Sequence, residues 1–145
     1  MTRDEARDLV VATATVWADD PATDVVWAGV FEGRPGLRMA QRVRDFTTVW
    51  FDVGDRTVRF EAFLLTAPPH APEAAYRFCL ARNWRSWPAS IALDRHGDLF
   101  VLGRIPLDGL DVEALDMAVG AVHETVELAF RPLLRMSFTS REKTR

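Results

Sequence analysis

The sequence predicts an α+β domain: an antiparallel sheet of about five strands packed by helices, in the order α-β-β-β-α-β-β-α. Three observations predict it. One segment near each end of the chain carries apolar residues at helical spacing, and a third helical stretch opens at Pro72. Between them lie runs rich in Val, Phe, Trp and Thr, of the kind that form strands. Short clusters of Gly, Asp and Pro separate those runs and supply turn chemistry.

The elements follow in order. Thr2 is placed to cap a first helix, with Asp4 and Glu5 in its first turn. Leu9, Val10, Thr13, Val16 and Trp17 then form one apolar stripe that ends near Asp19-Asp20-Pro21. Val25 to Phe31 reads as a short strand, followed by turn residues from Glu32 to Gly36. The stretch from Leu37 to Asp45 reads either as a twisted strand extension or as a loop. Phe46 to Val53 and Thr57 to Leu65 form a hairpin around Gly54-Asp55, and Gly first in a two-residue loop suits a II′ turn. That register sets Phe51 opposite Val58 and Val49 opposite Phe60 on the inner face. Trp50 then lies opposite Arg59, and Thr48 opposite Glu61.

Pro72 at a first helical position starts a second helix that runs to about Asn83, with Ala75, Phe78, Cys79 and Leu80 on its apolar side. A second hairpin joins Ser90–Asp94 to Leu99–Ile105. Asp94 bonds the turn amides and Gly97 supplies a positive φ. Pairing 93 with 99 puts Ile91, Leu93, Leu99 and Val101 on one face, and Ala92, Phe100 and Leu102 on the other. Pro106 ends this strand because it has no N–H to give a ladder. Asp111 caps a long last helix with Leu115, Val119, Val122, Val126 and Phe130 on one stripe, which Pro132 should end or kink. The tail from Ser140 is polar and expected to fray.

The chain of 145 residues reads as one domain over 1–145, best supported over 46–136. Its composition, 48% hydrophobic and 27% charged, is globular rather than disordered. A net charge of -3 gives no global attraction to nucleic acid or to anionic lipid. The N-terminus lacks the basic and then apolar pattern of a signal peptide, and no apolar run approaches the roughly 20 residues of a membrane span. The expectation is a cytoplasmic protein without membrane insertion.

Tests for chemistry return little. Ser86, Ser90, Ser137 and Ser140 all lack the strained Gly-x-Ser-x-Gly context of a hydrolase nucleophile. Cys79 is the only cysteine and falls on the inner side of its helix, where a thiol serves as a small hydrophobe. His70, His96 and His123 stand apart from one another and form no metal-ligand spacing. Asp94 and Asp98 around His96 and Gly97 lack the pattern of a calcium loop. Phosphate-cradling glycine loops are absent as well. Arg38, Arg42 and Arg44 cluster, and Arg82 and Arg85 flank Trp84, an arrangement seen in grips on single-stranded nucleic acid. Neighbouring Asp45 and Asp52 and the negative net charge argue against that use. The reading is therefore a non-enzymatic protein with no catalytic residue, no metal and no cofactor.

One region has a more specific character. Tyr76-Arg77-Phe78-Cys79-Leu80-Ala81-Arg82-Asn83, Ile91-Ala92-Leu93-Asp94 and Gly97-Asp98-Leu99-Phe100-Val101-Leu102-Gly103-Arg104-Ile105 resemble YbjN-domain proteins. The hairpin Val49–Gly54 and Val58–Phe63 is similar to the actinobacterial branch of that family. The resemblance implies a fold like that of the type III secretion chaperones, and proteins of that kind are homodimers that bind extended polypeptide.

The surplus apolar surface fits such a role. A half-exposed hairpin normally alternates cleanly between apolar and polar residues, yet Ala92, Phe100 and Leu102 share the outer face. Either helices cover both faces locally or this surface meets another chain. The candidate interface or peptide-binding surface is Trp50, Arg59, Phe63, Trp84, Trp87, Ala92, Phe100, Leu102 and Arg104, since aromatic and Arg side chains anchor interfaces. Gly54, Asp94, Gly97, Pro106 and Asp111 take turn or cap roles. The expected partners are a second copy of the chain, in a homodimer, and an unidentified polypeptide, with no nucleic acid. The alternative is a regulatory domain that senses a small ligand in a pocket between the sheet and the last helix, with Arg104 or His123 as the polar group.

Overall fold

A computed structural model describes residues 1–70 and 72–138, so the expected fraying from Ser140 lies outside the described residues. Helix α1 (Arg3–Ala18) opens with a capping box. The Glu5 amide donates to Thr2 Oγ1 at 3.1 Å, and the Thr2 amide donates to the Glu5 carboxylate at 2.8 Å. Ala6, Val10, Thr13 and Ala14 form its buried side.

Strands β1 (Val25–Phe31) and β2 (Arg34–Ala40) follow. The turn between them is narrower than the sequence suggests. Glu32 at φ 51° and Gly33 at φ 81° form a two-residue loop, and Phe31 pairs directly with Arg34. Positive φ at both loop residues is the turn whose twist matches paired strands. Pro35 and Gly36, expected in the turn, lie inside β2 instead. The sheet therefore has six strands, one more than the expected five or so, and the extra one is the segment that the sequence left open.

Strands β3 (Phe46–Val53) and β4 (Thr57–Leu65) form the next hairpin, where the register differs from the II′ expectation. Val53 pairs with Val58, Phe51 with Phe60, and Trp50 with Glu61. The Gly54 amide donates to the Thr57 carbonyl at 2.9 Å, and Gly54 does not take a positive φ. The loop thus holds four residues, and the pairing slips by two. A slip of two keeps every side chain on its own face. Val49, Phe51, Val58 and Phe60 accordingly stay inside, while Arg59 moves from Trp50 to Asp52.

Helix α2 (Pro72–Asn83) leads to β5 (Ser90–Leu93) and β6 (Leu99–Pro106). Ile91 pairs with Val101 and Leu93 with Leu99, as the alternation requires. In the turn, Asp94 Oδ1 accepts from the His96 and Asp98 amides at 2.8 and 3.0 Å, and Gly97 sits at φ 87°. The Asn83 side chain acts as an extra strand edge, since it donates to and accepts from the Ile91 backbone at 2.8 and 2.9 Å.

A short 3-10 turn (Leu107–Gly109) precedes α3 (Val112–Phe138), where Asp111 Oδ1 accepts from the Ala114 amide at 2.7 Å. The helix runs through Pro132 rather than ending there. An interior proline costs about 3 kcal/mol. Burial of Leu133 just beyond it offsets part of that cost.

The sheet order is β1-β2-β3-β4-β6-β5, with every neighbouring pair antiparallel. Helix α1 packs on β1, β2 and β3, while α3 packs on β3, β4 and β6. One core contains Leu37, Met39, Phe51, Phe60, Leu99 and Val101 from the sheet, with Val10 and Leu115 from the helices. The other sheet face carries no helix among the described residues.

Candidate functional site

The open sheet face begins with an aromatic platform. Gly29 and Gly36 pair across β1 and β2, and the indoles of Trp27 and Trp50 lie over them. A Cβ at Gly36 would sit 2.6 Å from the Trp50 ring, so glycine is what lets that indole lie down on the sheet. The two indoles meet edge to face with centroids 6.3 Å apart, and Phe31 is 6.3 Å from Trp50. Arg34 stacks 5.7 Å from the Trp50 ring, and Arg38 lies 5.4 Å from Trp27 and 5.8 Å from Phe46. Exposed cation–π contacts of this kind contribute about 0.5–1 kcal/mol each.

A charged lattice continues the face. Arg34 grips Asp52 through two bonds of 2.8 and 2.9 Å and reaches Glu61 at 3.1 Å. Arg59 pairs with Glu61 and approaches Asp52 at 3.7 Å. The hydrogen bonds that Arg34 donates to Asp52, and the one it donates to Glu61, hold its guanidinium above its ordinary pKa against partial desolvation. Beyond the lattice, Phe63 and Phe100 form an edge-to-face pair at 5.7 Å. A cleft of about 460 Å³ runs between the aromatic ends, with Arg34, Phe46, Trp50 and Phe63 among its walls.

Of the sequence-predicted residues, Trp50, Arg59, Phe63, Ala92, Phe100, Leu102 and Arg104 share this face, and Arg59 stands opposite Arg104. Trp84 and Trp87 lie elsewhere, at the end of α2 and in its connection to β5. They are 89% and 78% exposed, and Leu80 on α2 is 69% exposed. Tyr76, Leu80, Ala81 and Trp84 line a shallow recess of about 750 Å³ along that helix. Sequence reasoning missed Trp27, Phe31 and Arg34, and weighed Arg38 only for nucleic acid. Trp27 and Phe31 were legible as strand residues, but nothing local sets them beside Trp50.

Cys79 and His123 sit apart from both surfaces. Burial raises the Cys79 thiol pKa to about 11. His123 Nε2 lies 3.0 Å from the Ala40 carbonyl and 3.7 Å from Asp24. It lines a cleft of about 290 Å³ with Trp17 and Asp116 on the helix side of the sheet. Arg104, the other candidate for the polar group of a pocket between sheet and last helix, is on the open side of the sheet, away from that helix. Among the described residues, no group of three or more His, Cys, Asp or Glu is arranged to hold a metal ion. Likewise no helix is long and apolar enough to cross a membrane.

Among the described residues the architecture, three helices and a six-stranded antiparallel sheet, is similar to that of type III secretion chaperones. It matches a chain of the heterodimeric complex ExoU-SpcU from the type III secretion system of Pseudomonas aeruginosa, with a TM-score of 0.58 at 17% identity, covering 85% of this chain and 95% of that one. It also matches a chain in the crystal structure of the ExsC-ExsE complex, with a TM-score of 0.59 at 14% identity, covering 97% and 98%. Residues 32–135 match the YbjN family, described as "Putative bacterial sensory transduction regulator", and the chain belongs to that family. An uncharacterized protein of Mycobacterium leprae is 37% identical over 94 residues, which is 65% of this chain and 51% of that protein. One of Mycobacterium tuberculosis is 38% identical over 88 residues, or 61% and 48%. The chain spans about half the length of these relatives.

Proposed function

We propose that the chain is a non-enzymatic polypeptide-binding module, chaperone-like or regulatory, that works as a homodimer in the cytoplasm. The observation that carries this reading is the uncovered sheet face, where an aromatic platform and a Phe63–Phe100 pair flank an arginine-rich lattice. Aromatic and arginine side chains on a rigid scaffold are the usual anchors of protein interfaces. The ExoU-SpcU and ExsC-ExsE structures are complexes between two different proteins, which agrees with a polypeptide partner. On this reading the second copy docks on the α2 patch of Leu80 and Trp84, with Trp87 beside it, and leaves the sheet face for the polypeptide.

The test has two arms. Size-exclusion chromatography with light scattering should give twice the mass of one chain, and Leu80→Glu with Trp84→Glu should give monomers. A strict monomer in the unmodified protein would remove the dimer. Reduced insulin B chain should aggregate more slowly in its presence, and Phe31→Ser with Phe63→Ser, both at exposed positions, should abolish that protection. Equal aggregation with and without the protein would remove the polypeptide-binding role.

A further inference from the structure

The uncovered sheet face has a charge of its own. The strand residues that share it include Arg34, Arg38, Arg59 and Arg104 but only two carboxylates, Asp52 and Glu61. The face is therefore net positive in a chain whose net charge is -3. Arg34 and Arg59 divide the two carboxylates between them, while Arg38 and Arg104 form no ion pair among the described residues.

The two surplus arginines differ in what surrounds them. Arg38 lies over the rings of Trp27 and Phe46 and donates to Thr48. Arg104 is exposed and stands directly opposite Arg59 across β4 and β6. Like charges at opposed positions of an antiparallel pair repel each other. A carboxylate arriving between these two guanidinium groups removes that repulsion and gains a charge-assisted hydrogen bond.

An apolar anchor stands at a defined distance from this pair. Phe63 and Phe100 are opposed on the same two strands, four residues from Arg59 and Arg104. At about 3.4 Å per residue the two pairs lie roughly 13–14 Å apart, which is also the span of four residues in an extended polypeptide. One extended segment over β4 and β6 thus reaches both, with a ring against the phenylalanines and a carboxylate on the arginines. A nucleic-acid strand fits less well. It carries a charge on every nucleotide, and Asp52 and Glu61 within the same face repel those charges, whereas a polypeptide places a carboxylate only where an arginine meets it.

We propose that the polypeptide held on this face is acidic, with aromatic residues spaced among its carboxylates, and that one of those carboxylates seats on Arg59 and Arg104. This names the partner chemistry of the site proposed above and rests on that reading.

Fluorescence anisotropy of labelled poly(Glu,Tyr), a random copolymer, titrated with the full chain tests it, alongside poly(Lys,Tyr), poly(Glu) and oligothymidylate. Poly(Glu,Tyr) should bind roughly tenfold or more tightly than poly(Lys,Tyr), and its affinity should fall as salt is added. Poly(Glu), without rings, should bind more weakly than the copolymer. Arg104→Gln should weaken poly(Glu,Tyr) roughly two- to fivefold. The same change removes a like-charge neighbour of Arg59, so Tm should stay level or rise, which separates lost recognition from lost folding. Equal binding of the two tyrosine copolymers, or an affinity that Arg104→Gln leaves intact, would overturn the acidic preference. Protection of insulin B chain, if retained in that case, would leave the polypeptide site standing. Oligothymidylate binding tighter than poly(Glu,Tyr) would overturn the proposal in favour of nucleic acid. No binding of any polymer together with no insulin protection would remove both readings.

Discussion

Gly103 gives the sharpest test of how the core fixes this fold. It lies in β6 opposite Phe60 of β4, on the inner face, under the carbonyl of Pro88. A Cβ there would stand 2.4 Å from the Pro88 oxygen and 2.5 Å from Phe60 Cζ. Phe60 is fully buried and has no free space to turn into, and the oxygen belongs to the backbone. One methyl group therefore forces two neighbours to shift. Overpacking of a close-packed core costs about 1–3 kcal/mol, and two rigid obstacles set Gly103→Ala in the upper half, at about 2–3 kcal/mol. For a chain of this length, 1 kcal/mol moves Tm by about 3–4 °C, so the expected drop is about 6–12 °C. Urea unfolding followed by tryptophan fluorescence reads the same loss as a lower midpoint at unchanged slope. Gly120→Ala on α3 is the control. A Cβ there meets nothing within 4 Å, so the change should stabilise by about 0.5–1 kcal/mol through helix propensity. Adding Phe60→Leu to Gly103→Ala should recover part of the loss as a coupling of about 0.5–3 kcal/mol. Stability of Gly103→Ala within about 0.5 kcal/mol of the parent would refute the close approach.

Further outcomes follow from three single side chains. Cys79, with its thiol pKa raised to about 11 by burial, should react with a disulfide reagent at pH 8 far more slowly in the native protein than in urea. Equal rates would mean an accessible thiol. Because that folded pKa is raised, its stability contribution is complete below the ordinary thiol value and fades as pH rises toward 11, so Cys79→Ala should flatten the alkaline limb. Glu127 accepts from the Arg42 amide and from Gln41, and these bonds overcome desolvation to hold its pKa below the ordinary carboxylate value. Its contribution is present above that ordinary value and is lost as pH falls below it. Glu127→Gln should therefore make acid unfolding less steep, and an unchanged acid limb would show that the contact contributes nothing. Asp94→Ala removes the acceptor for two turn amides and should cost about 1–2 kcal/mol in urea unfolding, whereas a neutral result would deny the turn its anchor.

The two hairpins show how far local pattern reaches. In β5–β6 the register follows from the sequence alone, because Asp94 and Gly97 dictate one turn and the alternation dictates one face. In β3–β4 the faces follow but the register does not. Gly54-Asp55 is compatible with a two-residue loop, whereas the structure has a four-residue loop that sets Phe51 opposite Phe60. The stretch from Leu37 to Asp45 was illegible for a different reason. Glu127, 85 residues beyond Arg42, fastens its exit, and Arg44 reaches forward to the Phe63 and Leu64 carbonyls at 2.6 and 2.8 Å. No window of local sequence contains those partners.

By itself, then, the sequence determined the α+β class, the helix caps, the turn at Asp94-Gly97 and the inner faces of the central strands. Each depends on interactions within a few residues or on a period of two. Tertiary structure decided what stands beside what. It laid Trp27 and Phe31 next to Trp50 and placed Arg34 rather than Arg59 on that indole. Strand order and helix docking bring these residues together across long stretches of chain, and periodicity carries no information about such distances.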